Sequence, residues 1–285
     1  MTGRIIKIIS NLYSVESDNG IYECRARGKF REMKLTPLVG DIVEFSDTDK
    51  YILDIKERKN ELSRPSVANI DKCLIVSTCK RPDFSSFLLD KMIVNVSLNN
   101  IEPVVVLSKY DLLNDEEKTN MNSLIEYYNK IGIKTFINHE LDKIQTYINN
   151  STVALTGQTG AGKSTLINHI DESLELATDD ISEALGRGKH TTRHVELFRV
   201  KNDLYDYYIA DTPGFSALDL VTTDKDNIKF MFPEFKNDEC KFNDCKHIHE
   251  KDCAVLRQLE NHEILESRYE NYKKLVSEWK HLSLF

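Results

Sequence analysis

Apolar and polar positions alternate in short runs along the first 65 residues, over 4–9, 12–16, 21–26, 41–45 and 51–55. Turn signals such as Asp18-Asn19-Gly20 and Val39-Gly40-Asp41 separate the runs. A period of two bounded by such turns marks half-buried strands. Five short strands in so little chain predict a small β-barrel of the OB type. Beyond Arg64-Pro65 the texture changes. Residues 72–77 and 104–107 are nearly uninterrupted apolar runs, as strands covered on both faces require. Helices are expected over 84–96, 115–130 and 163–170, and further strands at 135–137, 152–155, 195–200 and 205–210. Alternating strand and helix predicts a doubly wound parallel sheet. From about residue 222 a cysteine-bearing loop leads into a long helix. There Leu265, Tyr269, Tyr272, Val276 and Trp279 step by four and three, marking one apolar face with Trp279 as core. Three domains are expected: a barrel over 1–65, an α/β domain over 66–222 and a mainly α domain over 223–285.

Composition narrows the class. With 40% hydrophobic and 29% charged residues among 285, the chain is expected to be soluble and globular. No apolar run approaches the ~20 residues of a membrane span. The start, Met1-Thr2-Gly3-Arg4-Ile5-Ile6-Lys7, has no apolar export segment, so the cytoplasm is the expected address and no membrane partner is expected. The net charge of −8 argues against nucleic acid until its distribution is examined. Residues 1–65 hold 12 of the 38 Lys/Arg and 11 of the 46 Asp/Glu, so the acidity lies elsewhere. Within 24–31, Arg25, Arg27, Lys29 and Arg31 alternate with Cys24, Ala26, Gly28 and Phe30. On a strand, that period lines four cations on one face. The stripe reads either as an RNA-contacting surface or as an ordinary solvated face, and the barrel context favours the former.

Gly157-Gln158-Thr159-Gly160-Ala161-Gly162-Lys163-Ser164 fits G-x-x-x-x-G-K-[ST] at every fixed position, between a strand-like and a helical segment. Its glycines let successive N–H groups turn toward phosphates. Lys163 is expected to reach the β- and γ-phosphates, Ser164 to ligate Mg²⁺ and Thr165 to contact the nucleotide. Ser108-Lys109-Tyr110-Asp111 ends an apolar strand and reads as a guanine-recognition element. Asp111 can accept two hydrogen bonds from the guanine edge, and Lys109 can lie over the ring. The element precedes the phosphate loop in the chain, the reverse of the usual order. Asp211-Thr212-Pro213-Gly214 follows another apolar strand, with Asp211 suited to hold Mg²⁺ through water and Gly214 to meet the γ-phosphate. Gly186-Arg187-Gly188-Lys189-His190-Thr191-Thr192-Arg193 lies where a switch offering Thr192 to Mg²⁺ belongs. Phe215 stands where many GTPases place a water-orienting glutamine, so slow intrinsic hydrolysis is expected. His190 is the candidate to position the water. Its alternative role is packing or RNA contact when the switch orders.

Cys240-x₄-Cys245-x-His247-x₅-Cys253 supplies three thiolates and an imidazole, suited to one structural, tetrahedral Zn²⁺; His249 is a competing imidazole. A disulfide reading would leave one cysteine over.

Taken together, these motifs resemble the circularly permuted GTPases, specifically the ribosome small-subunit-dependent GTPase A family. They include the Arg64-Pro65…Ala68-Asn69-Ile70-Asp71 entry to the second domain, and the likeness spans essentially the whole chain. The resemblance implies an N-terminal OB-fold, a central α/β permuted P-loop GTPase domain and a C-terminal zinc domain. It also implies GTP hydrolysis stimulated by the small ribosomal subunit during its late maturation. Partners would be that subunit with its rRNA, and GTP or GDP; a monomer is expected. The family spacing selects His247 over His249. The family usually has Asn where this chain has Ser108, which implies weaker guanine affinity with base choice unchanged. A guanine O6 contact is expected near Ile137-Asn138-His139. The switch at 211–215 runs almost directly into the C-terminal domain, so nucleotide state is expected to move that module. Two other readings stay open: an RNA-binding module whose GTP is structural, and a GTPase acting on a protein partner.

Overall fold

The computed structural model describes residues 1–33, 35–63, 66–170, 195–211 and 225–282. Strands β1 (Thr2–Ile9), β2 (Leu12–Ser17), β3 (Gly20–Ala26), β4 (Ile42–Ser46) and β5 (Tyr51–Ile55) run in the order β1-β2-β3-β5-β4, and β4 pairs back onto β1 to close a barrel. Alternation works as expected here. Ile5, Val15, Cys24, Val43, Phe45 and Ile52 all point inward and are fully buried.

The cationic stripe is corrected by the structure. β3 ends at Ala26, Arg27 lies in the loop that follows, and Lys29–Glu32 forms one helical turn, α1. Lys29 and Arg31 therefore do not continue the strand face of Arg25. The physical cause is Phe30, the one large apolar side chain in 27–32. It is buried to 2% exposure, and the Gly28 turn into a helix delivers it to the core.

The second domain's sheet holds β8 (Lys72–Thr78), β9 (Glu102–Ser108), β10 (Thr135–Ile137), β11 (Thr152–Gly157), β12 (Glu196–Lys201) and β13 (Asp206–Asp211). A hairpin, β6 (Glu61–Ser63) with β7 (Ser66–Ala68), leads into it. Strands β10-β9-β8-β11-β13 are mutually parallel. The sheet departs from the all-parallel expectation only at β12 among the described strands; it runs antiparallel to β13 because a tight turn joins them. Asn202 caps that turn, its Oδ1 accepting the N–H groups of Leu204 and Tyr205 at 2.9 Å. The sheet also continues into the barrel through a β1–β12 pairing at Lys7 and Glu196. At this seam the Tyr208 ring lies beneath two guanidiniums, Arg4 at 4.8 Å and Arg199 at 5.4 Å, while its hydroxyl donates to Glu16 at 2.6 Å.

Helices α2 (Ser86–Leu98), α3 (Asp115–Lys130), α4 (Leu141–Ile148) and α5 (Lys163–Ile170) flank the sheet. Ser85 caps α2, and Asn114 with Glu117 forms a capping box on α3. The outer edge of β10 is closed by side chains. Asn129 accepts from Thr135 N–H and donates to Thr135 C=O, and Glu140 accepts from Ile137 N–H, so no further strand can add there.

The C-terminal region contains α6 (Ala254–Glu260) and α7 (Glu266–Leu282). The buried face of α7 includes Arg268, Tyr269, Asn271, Tyr272 and Leu275; the Trp279 side chain lies outside the described residues. Arg268 forms a bidentate pair with Glu234 at 2.7 and 3.0 Å and also bonds Asp90 of α2. Asp90 accepts further bonds from Tyr128 and Asn271. The C-terminal region is thus tied to α2 and α3 by desolvated charge.

Candidate nucleotide site and metal centre

The carboxyl ends of β8, β9, β10, β11 and β13 share one edge of the sheet, where ligands bind in open α/β folds. Strand β11 is wholly buried and delivers the loop 157–162 to that edge. Gly157 has φ of +148°, and a Cβ there would lie 2.2 Å from the Val76 carbonyl oxygen, so only glycine fits. Gly160 and Gly162, at φ +75° and +88°, turn the backbone around Ala161. Lys163 begins α5, and its ammonium donates to the Gly157 and Gln158 carbonyls at 2.9 and 2.8 Å, across the loop. Ser164 and Thr165 occupy the first turn of the same helix.

The guanine element meets this loop directly. Ser108, buried at the end of β9, donates its hydroxyl to the Ala161 carbonyl at 2.6 Å. Lys109, in a left-handed conformation (φ +56°), donates to the Gly160 carbonyl at 2.9 Å and also to Arg81 O. Tyr110 and Asp111 lie in a 3₁₀ turn over Tyr110–Leu112, and the Tyr110 hydroxyl donates to Asn122. Asp111 is exposed. Burial pushes the Cys79 thiol up to about 12, and the Asp111 carboxylate adds to the rise. Cys79 N–H in turn donates to Ser108 O at 2.9 Å. Asn138 N–H donates to Leu107 O, fastening the segment after β10 beside the guanine element. The backbone of Asp211 ends β13, level with Glu196. The Asp211 side chain, Gly214, Phe215 and the whole switch with His190 and Thr192 lie outside the described residues.

Cys240, Cys245, His247 and Cys253 place their ligand atoms within 4.8 Å of one another. His247 is buried whereas His249 is exposed. The Nδ1 atom of His247 faces the Cys240 and Cys253 sulfurs at 3.5 and 3.3 Å, and its Nε2 lies 2.6 Å from Asn237 Oδ1. An Nε2–H donated to Asn237 leaves the Nδ1 lone pair for a metal. Burial, with Lys229 nearby, lowers His247 to about 4 and keeps it neutral. The donor set, four groups with no open position, fits one structural Zn²⁺. The surrounding loop is tied down from outside. Lys229 donates to Cys245 O at 2.9 Å, Tyr269 to His247 O at 2.8 Å and Tyr272 to Lys246 O at 2.7 Å. Burial works against the charge of Glu250, but N–H groups of Lys246, Ile248 and His249 hold its carboxyl at about 2. Asn237 gave no signal in the sequence, because its role depends on a contact ten residues away.

Of the four cations of the 25–31 stripe, Arg25 and Arg27 line a cleft of about 900 Å³ together with Ile9, Leu12, Tyr13 and Tyr51. Arg27 lies 5.8 Å from the Tyr51 ring centre. Lys29 and the α1 backbone of Arg31 stand aside from this lining, and the Arg31 side chain is outside the described residues. Cations beside partly exposed aromatic and aliphatic side chains suit a single strand of nucleic acid.

Comparison with known proteins gives a consistent family. The model described as RsgA GTPase matches residues 55–221 and that of the RsgA N-terminal domain matches 2–51. The small ribosomal subunit biogenesis GTPase RsgA of Latilactobacillus sakei is 44% identical over 98% of this chain and 96% of its own length. Its counterpart from Lactococcus lactis is 45% identical over 98% and 94%. The crystal structure of YjeQ from Thermotoga maritima superposes with a TM-score of 0.84 at 33% identity, covering 98% of both chains. That of YloQ, described as a circularly permuted GTPase, gives 0.82 at 34%, covering 98% of this chain and 95% of that one.

Proposed function

We propose that this chain, which belongs to the RsgA GTPase family, is a GTPase that binds the small ribosomal subunit and acts in its biogenesis. The observation that carries the nucleotide half of this reading is the bonding of Ser108 and Lys109 to the phosphate loop, despite their reversed order in the chain. In this reading Asp111 reads the guanine edge. The loop N–H groups, Lys163 and Thr165 hold the phosphates. Ser164, Thr192 and the water-linked Asp211 serve Mg²⁺, which neutralises phosphate charge, and Gly214 meets the γ-phosphate. His190 positions the water that Phe215 cannot. Cys240, Cys245, His247 and Cys253 hold one zinc, and the setting is cytoplasmic. The test is GTP turnover with and without purified small subunits. Acceleration by subunits, lost in His190→Ala with GTP affinity intact, is expected. Turnover indifferent to subunits would leave the protein-partner or structural-GTP readings standing instead.

The barrel cleft is the proposed rRNA contact, with Arg25 and Arg27 as its cations and Lys29 and Arg31 as further proposed contacts outside its lining. Replacing Arg25 and Arg27 by alanine is expected to weaken subunit binding and to flatten its salt dependence by about one to two units of slope. Subunit-free GTP turnover should stay unchanged. An unaltered slope in co-sedimentation across a salt series would remove these two residues from the interface.

A further inference from the structure

We infer that Ser108 is a positioning residue for the phosphate loop and not a contact to the base, an inference that rests on the guanine-nucleotide reading above. The peptide plane carries the argument. In a trans peptide the C=O and the following N–H point in opposite directions, so fixing one fixes the other. Ser108 Oγ holds the Ala161 carbonyl at 2.6 Å, and this sets the direction of the Gly162 N–H. Lys109 Nζ holds the Gly160 carbonyl at 2.9 Å, which sets the Ala161 N–H. Both peptides adjoin glycines at positive φ, Gly160 and Gly162, where a flip meets little steric resistance. A flip would turn an N–H away from the phosphates and present a carbonyl oxygen to them. The two side chains of the guanine element oppose that flip.

Geometry also commits the serine to this task. Ser108 is 4% exposed, and its single hydroxyl proton is engaged by Ala161 O. A hydroxyl so engaged has no second proton for a base. Asp111 remains to discriminate guanine through the 2-amino group. The serine therefore contributes to affinity through the diphosphate and leaves base choice to its neighbour.

The test is the affinity of wild type, Ser108→Ala and Ser108→Thr for GDP and for 7-deaza-GDP, whose base lacks the N7 acceptor that a hydroxyl donor would contact, with melting temperatures as folding controls. Ser108→Ala is expected to lose about tenfold for both nucleotides, keeping the ratio between them. Ser108→Thr, which retains the hydroxyl, should stay within about twofold of wild type. Unchanged GDP affinity in folded Ser108→Ala overturns the inference, as does a tenfold loss in folded Ser108→Thr. A changed ratio assigns the hydroxyl to the base instead. Wild type that binds neither nucleotide overturns the underlying reading and the inference with it; wild type that binds while Ser108→Ala matches it overturns the inference alone.

Discussion

Withdrawing zinc with a chelator, or replacing Cys253 by serine, is expected to unfold the loop 240–253 and to lower the melting temperature of the whole C-terminal region. The loop has no strand and no α-helix of its own; its neighbours are a 3₁₀ turn at Asn237–Glu239 and helix α6. Three thiols and an imidazole meet at its centre, and without a cation those polar groups are buried against one another. Metal ligation supplies about 10–16 kcal/mol in small zinc modules, far more than the few surrounding hydrogen bonds can replace. Asn237→Ala should give a graded version of the same defect, weakening zinc affinity by about 10–100-fold because the His247 ring loses its orienting partner. The measurements are zinc content, thermal melting and protease cleavage within 240–253. A metal-free protein that melts and resists protease as before would show that Cys240, Cys245, His247 and Cys253 pack without a metal.

Features that depend on local spacing were legible in the chain. The phosphate loop needs glycines, lysine and serine at fixed offsets because its work is done by consecutive backbone groups. Its place between β11 and α5 followed from flanking periodicity. Strands β8 and β9 were recognisable because burial on both faces leaves apolar residues at nearly every position. The cationic stripe misled for a related reason. Alternating charges have period two in any backbone, and only the burial of Phe30 reveals that 29–32 turns as a helix. The motifs announced that distant segments share one nucleotide site, but not the individual bonds that join them. The Ser108–Ala161 bond spans 53 residues, and the substitution of Asn by Ser read only as a lost contact until its hydroxyl was seen on the phosphate loop. The pairing of β1 with β12, which joins the barrel to the strand that follows the switch segment, likewise has no local signature.

Arg268 was equally hidden, since an arginine between Ser267 and Tyr269 on a helix reads as surface, and its replacement by alanine is expected to destabilise the protein by about 3–5 kcal/mol. Its side chain is 1% exposed, and those of Asp90 and Glu234 are 0% and 4% exposed. Burial opposes its charge, yet Asp90 and Glu234 outweigh that and hold the guanidinium well above its ordinary range. The guanidinium also lies over Phe232 at 4.5 Å and Tyr128 at 5.2 Å, so alanine would remove packing as well as charge. The larger cost is what remains: two carboxylates with no cation, one on α2 and one in the C-terminal region. Arg268→Lys should recover only part of the loss, because an ammonium cannot give Glu234 a two-pronged bond while reaching Asp90. Replacing all three by apolar residues of matched volume should cost far less than Arg268→Ala, since no charge is then left buried. Thermal denaturation of the three variants provides the comparison, and a loss under about 1 kcal/mol for Arg268→Ala would mean water reaches the carboxylates. The same triad constrains how nucleotide state can reach the zinc module. A swing of that module away from α2 would expose unpaired charge, so a displacement that keeps the triad intact must carry α2 along with it.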